Sequence, residues 1–258
     1  IVVGNTAFVT TVNRCGGAPD GVWSLDIESG MVRSWKSDGG SIAGAAGAAL
    51  GPDGTLYVAT KEGSLVALES SSLSLVQKSP AAGFRSSPVV FDFNGADHIA
   101  ALASDGSLQV YAADSLSVPV TSAPARSGVA SDDTALAAWK DKSGTRWILA
   151  STGSSITAWK LAGSADGASL ERAWESASMI APLPPIVVNG VVFAADGGEA
   201  AGRATLYAFE GTTGAALWDS ADSIKAPARG HTLASGPSHV YLTAMDSSVY
   251  AFGIPMEH

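Results

Sequence analysis

RATLYAFEGTTGAALWD, residues 203–219, is the clearest copy of a unit that recurs along the chain. Thr205, Leu206, Tyr207, Ala208 and Phe209 alternate as residues on a strand do, and residues 210–214 carry turn formers. A second strand over 215–219 places Trp218 four residues beyond Gly214. Glycine tolerates the positive φ of a tight turn, threonine hydroxyls bond turn backbone, and β-branched and aromatic side chains suit a pleated, half-buried surface. The stretch predicts a β-hairpin. A hairpin alone is marginal in water, so this one requires neighbours built alike.

The rest of the chain supplies them. A small residue followed by a large one recurs as Ser24-Leu25, Ala67-Leu68, Val110-Tyr111, Ala158-Trp159, Ala208-Phe209 and Ala251-Phe252. Two positions before each lies an aliphatic residue: Val22, Leu65, Leu108, Ile156, Leu206 and Val249, at intervals of 43, 43, 48, 50 and 43. A second column, Phe8, Tyr57, Ile99, Ile148, Phe193 and Tyr241, runs at 49, 42, 49, 45 and 48. A period in the forties made only of strands and turns predicts an all-β propeller of four-stranded antiparallel blades.

One propeller domain over 1–258 follows, with units at 1–40, 41–82, 83–126, 127–178, 179–227 and 228–258. The last unit stops after its third strand, and Ile1 falls inside a strand already under way. The expectation is therefore a chain that continues upstream and supplies the closing strand, because an open sheet edge leaves backbone groups unpaired.

A net charge of −9 and a sequence pI near 4.8, with the 15 lysines and arginines scattered, argue against a nucleic-acid partner, which needs clustered cations. No apolar run is long enough to span a bilayer. A single cysteine, Cys15, excludes an internal disulfide framework and reads as a loop or partly buried thiol.

The chemistry-bearing candidates are few. Arg85, Arg126, Asp132, Asp133, Arg229 and His231 fall at the starts of inner strands, where an axial funnel would lie. Such residues commonly bridge blades or line a wet channel; alternatively they form an anion or quinone site, since arginine offers a planar donor fork and a neutral imidazole can donate, accept or ligate. Asp92, Asn94 and Asp97 place oxygen ligands at intervals that suit calcium. Three fall short of the ligand count calcium takes, and a plain turn accounts for them as well. Nucleophile elbows, P-loops, dinucleotide fingerprints and HExxH are absent from the sequence.

AFEGTTGAALW (208–218) resembles the repeat of the PQQ-like, or quinoprotein dehydrogenase-like, β-propellers, and SLDIESGMVRSW (24–35) is similar with one more residue before its tryptophan. ALESSSLSLVQ, VYAADSLSVPV and WKLAGSADGASLERAW are degenerate copies. The resemblance implies that Trp35 and Trp218 dock onto the following blade. It further implies eight blades in all, two of them upstream, and a secreted or periplasmic bacterial setting. Dehydrogenases of this family carry PQQ and calcium on the propeller axis, often beside an adjacent cysteine pair; this chain has no such pair, and none of its residues matches those roles. Other members are scaffolds. The expectation is a non-catalytic binding or assembly propeller with a protein partner or small ligand at its rim or axis. The alternatives are a PQQ- and calcium-dependent alcohol or sugar dehydrogenase, or a subunit of a surface or electron-transfer complex.

Overall fold

The computed structural model of the protein describes residues 1–124, 134–163 and 167–253. Among these residues there is no α-helix. The chain packs as two units, Ile1–Pro124 with Gly163–Ser169, and Ala125–Ala162 with Leu170–His258. Each unit holds three consecutive antiparallel sheets whose strands lie side by side in chain order.

In the first unit the sheets are Val2–Val3, Thr6–Thr11, Gly21–Asp26 and Val32–Lys36; then Ala49–Leu50, Thr55–Ala59, Leu65–Glu69 and Leu75–Lys78; then Val89–Phe93, Ala96–Leu102, Ser107–Ala112 and Thr121–Pro124. In the second they are Ala137–Lys140, Arg146–Thr152, Ser155–Ala162 and Ser169–Glu175; then Ile186–Val188, Val191–Asp196, Thr205–Glu210 and Ala216–Asp219; and last the three strands Leu233–Ser235, His239–Thr243 and Val249–Gly253.

The aliphatic columns are the core. Val22, Leu65, Leu108, Ile156 and Leu206 are all fully buried, because the middle strands of each sheet are covered on both faces. Phe8, Val22, Leu56 and Leu68 fill the space between the first and second sheets, and Tyr57, Ala67, Ile99 and Tyr111 that between the second and third. Trp147, Ile156, Val192 and Phe209 join the fourth sheet to the fifth; Leu206, Ile224, Leu233 and Leu242 join the fifth to the sixth. The sixth sheet differs. Val249 is 65% and Tyr241 36% exposed, since Val249 lies on the last described strand, with no further strand beside it among the described residues.

The turn after the third strand is built the same way in three sheets whose sequences there are unlike. In the fifth, Glu210 Oε2 accepts the Thr212 and Thr213 N–H groups at 3.0 and 2.7 Å and the Thr212 hydroxyl at 2.7 Å. The Gly214 N–H closes the turn on the Glu210 carbonyl. Asp26 does this for Ser29 and Gly30 in the first sheet, and Glu69 accepts from Ser71 and Ser72 in the second. Gly214 and Gly30 sit at φ 73° and 72°; the second sheet puts Leu73 there at φ 58°. A left-handed leucine costs about 1–2 kcal/mol. Burial of its side chain between two sheets, worth about 1.5–3 kcal/mol, offsets that.

A second recurring device follows the outer strand. The N–H groups of Leu65, Ile156 and Leu206 donate to the hydroxyls of Ser79, Ser176 and Ser220 at 3.0, 2.9 and 3.0 Å, while the serine N–H groups return the bond to the same residues' carbonyls. The column residue is thus held by its backbone as well as by packing.

The tryptophan that docks with full burial is Trp174, in the fourth sheet's degenerate stretch. It is 8% exposed, its indole N–H donates to the Gly211 carbonyl at 2.9 Å, and its ring lies so close to Gly214 that an added Cβ would stand 2.6 Å from it. Gly30 has the same φ and open space around it. Gly214→Ala is therefore expected to cost roughly 2–4 kcal/mol, backbone strain plus overpacking, and Gly30→Ala about 1–2 kcal/mol. Trp174→Ala should cost roughly 3–5 kcal/mol. Equal losses for the two glycines in denaturant melts would show that the Trp174 contact does not hold the turn.

Candidate functional site

The axial candidates fall in both units and in part outside the described residues. Arg85 belongs to the first unit and Arg229 and His231 to the second, while Arg126, Asp132 and Asp133 lie outside the described residues. Arg85 Nε donates to the Ser104 carbonyl at 3.1 Å. Arg229 Nη1 donates to the carbonyls of Gly197 and Ala228 at 2.7 and 2.6 Å, against a glycine where a Cβ would stand 2.9 Å from that nitrogen. Its guanidinium pins two loops together. His231 is exposed.

Asp92 and Asp97 face each other across the hairpin closed by Asn94 and Gly95 at φ 53° and 81°, the pair of positive φ values a two-residue turn needs. The Asn94 amide donates to the Gly163 carbonyl at 3.1 Å. Among the described residues no three His, Cys, Asp or Glu side chains converge. Arg85, Arg229 and Asn94 each donate to a backbone carbonyl. Trp35 packs against the cluster between the first two sheets. Trp218 lies 5.5 Å from Phe252 of the following sheet but remains 45% exposed.

A groove of about 1090 Å³ lies elsewhere, between turns of the fourth and fifth sheets, lined by Trp139, Lys140, Asp141, Lys142, Asn189 and Glu210 among others. Three turns separated in sequence meet there. In the first, Asp141 Oδ1 accepts the Ser143 N–H and hydroxyl and the Thr145 N–H at 2.9, 2.6 and 2.9 Å, and Oδ2 accepts the Trp147 indole at 2.9 Å. The second is the Asn189-Gly190 hairpin at φ 51° and 82°. The third begins at Glu210 and is tied to the second by the Gly211 N–H on the Gly190 carbonyl.

Trp139 forms the aromatic wall. It pairs with Trp147 across the sheet with ring centroids 6.1 Å apart, and the Lys160 ammonium lies 5.6 Å from the Trp147 ring. The six-membered edge of Trp139 lies 3.6 Å from where a Cβ of Gly190 would be. Its indole nitrogen is covered and has no hydrogen-bond partner.

Partial burial pushes the Asp141 and Glu210 carboxyls up, but the hydrogen bonds they accept outweigh it and hold both below their ordinary values. Both are ionised acceptors at neutral pH. Neither is poised as a proton donor at neutral pH. The sequence reading did not single out this place; its signals were the Asn189-Gly190 pair and the alternating charges of 140–142.

No family model and no curated protein matches the chain. Among solved structures, BamB from Moraxella catarrhalis is similar with a TM-score of 0.59 at 14% identity, over 97% of this chain and 82% of that one. The computationally designed Ika8 protein is similar at 0.58 and 13%, over 98% and 82%. The fold is a β-propeller. Its sheets are blades, and the groove lies between turns of the fourth and fifth.

Because Asp141, Glu210, Asp26, Glu69 and Asp105 are all held below their ordinary values by hydrogen bonds within turns, the linkage has one sign. Their stabilisation is complete above the unfolded carboxylate range of about pH 4 and is lost as pH falls through the lower folded values. Melting temperature is expected to drop below about pH 4.5, with a shallower drop for Glu210→Gln. Superimposable pH curves for the two proteins would remove Glu210 from this account.

Proposed function

We propose that the chain is a non-catalytic binding propeller, an extracytoplasmic PQQ-like scaffold that presents its blade turns to a ligand or protein partner. The observation that carries this reading is the state of the groove's carboxylates. Asp141 and Glu210 are spent as ionised turn caps, each accepting several hydrogen bonds from its own turn, whereas a catalytic base or acid needs a carboxyl whose proton affinity is raised toward the working pH. Arg229 is spent likewise, bonded to two backbone carbonyls. The likeness of AFEGTTGAALW and SLDIESGMVRSW to PQQ-like repeats supports the family and the extracytoplasmic setting.

The decisive assay mixes the protein with PQQ, calcium and an artificial electron acceptor and screens primary alcohols and aldoses. The expected result is acceptor reduction no faster than without protein, and no saturable heat on titration with PQQ. Reduction that requires the protein and disappears in Arg229→Ala would replace the scaffold with a quinone dehydrogenase.

A further inference from the structure

We infer that the groove between the turns of the fourth and fifth blades binds a neutral oligosaccharide, an inference that rests on the binding-scaffold reading and gives it a ligand class. The argument begins with what the fold leaves unused there. All three donors that reach Glu210 converge on Oε2, so Oε1 remains an acceptor at the groove wall. Asn189 is exposed at the tip of its hairpin, and its amide makes no hydrogen bond within the described residues. It offers a donor and an acceptor side by side. Trp139 lines the groove with its ring, while its indole nitrogen is covered.

These groups match one chemistry better than others. A sugar presents an apolar C–H face and a rim of hydroxyls that donate and accept at once, and Trp139 beside a carboxylate and an amide answers both. The charges of the lining balance, with Lys140 and Lys142 against Asp141 and Glu210. A phosphorylated or polyanionic ligand would meet two ionised carboxylates, and a polycation two ammonium groups; a neutral polyol meets neither penalty. The groove's volume of about 1090 Å³ and its open form suit an extended ligand larger than a single sugar ring, since ligand sites of about 300–1,000 Å³ hold drug-sized molecules.

The test is calorimetric and fluorescence titration of the protein with malto-, cello- and chito-oligosaccharides. Two variants separate the site from the fold. Asn189→Gly keeps the positive φ while removing the amide, and Trp139→Phe reduces the aromatic wall to a single ring at a position whose indole nitrogen bonds nothing in the protein. Saturable binding of at least one neutral oligosaccharide is expected, with quenching or a shift of tryptophan emission. Each variant should weaken it about three- to tenfold with a melting temperature within a few degrees of the parent. No binding across the panel overturns the inference, as does binding that both variants retain or binding confined to phosphorylated sugars. Release of reducing ends during the titration would instead overturn the non-catalytic reading while leaving the groove as the sugar site.

Discussion

A blade of this protein is a sheet with two apolar faces, and neither can be left in water. A strand such as Leu65–Glu69, buried along most of its length, gains its stability only when another sheet lies against each side, because burial of apolar area is the dominant favourable term and a single sheet offers it nowhere to go. Everything else in each unit serves that requirement. The outer strand needs its own anchor, since it lies farthest from the buried columns. Trp174 provides one by crossing to the next blade and covering Gly214, and the serine latches at Ser79, Ser176 and Ser220 provide another by holding the chain just after the outer strand.

That division of labour explains where the charged residues go. A chain with 24 acidic residues against 15 lysines and arginines could be expected to carry diffuse negative surface, yet its carboxylates are organised. Asp53, Asp105, Asp141, Asp246 and Glu210 accept from the N–H two residues on and Asp26 from the N–H three residues on, and all of these but Asp246 also accept a hydroxyl from the same turn. A carboxylate in such a turn satisfies backbone donors that strand pairing cannot reach. The same bonds lower its proton affinity and withdraw it from acid–base chemistry.

The repeat was legible because its signals are local or periodic. Alternating aliphatics mark the buried face of Leu65–Glu69 or Thr205–Glu210 directly, and the turn formers of residues 210–214 specify their own geometry. Trp174 was not legible as a docking residue. An insertion around 163–169 changes its distance from the preceding turn, although in space it reaches the place that the hairpin's own spacing leads one to expect of Trp218. The serine latches were hidden for a related reason: their separations from Leu65, Ile156 and Leu206 are 14, 20 and 14, so no fixed offset marks them. Arg229 shows a different limit. Its position beside His231 suggested a ligand, but whether a guanidinium meets a solute or two backbone carbonyls depends on loop paths that only the fold determines.

The groove was invisible for the deepest of these reasons, since 139–143, 187–191 and 210–212 come together only through strand register. Register also shows why Trp139 stands out. The inner-strand position that it occupies, one after the residue paired with the second column, holds Leu50 opposite Leu56 in the second blade, Phe91 opposite His98 in the third and Val187 opposite Val192 in the fifth. Leucine, phenylalanine and valine meet the packing requirement with no polar atom. Trp139 meets it too, but adds an N–H for which the protein provides no partner, and a fold that needed only bulk at this point is served without it. What the groove gains from Trp139 is its ring, which lies among the turns of Asn189 and Glu210, whose own spare hydrogen-bonding groups the fold has left unclaimed.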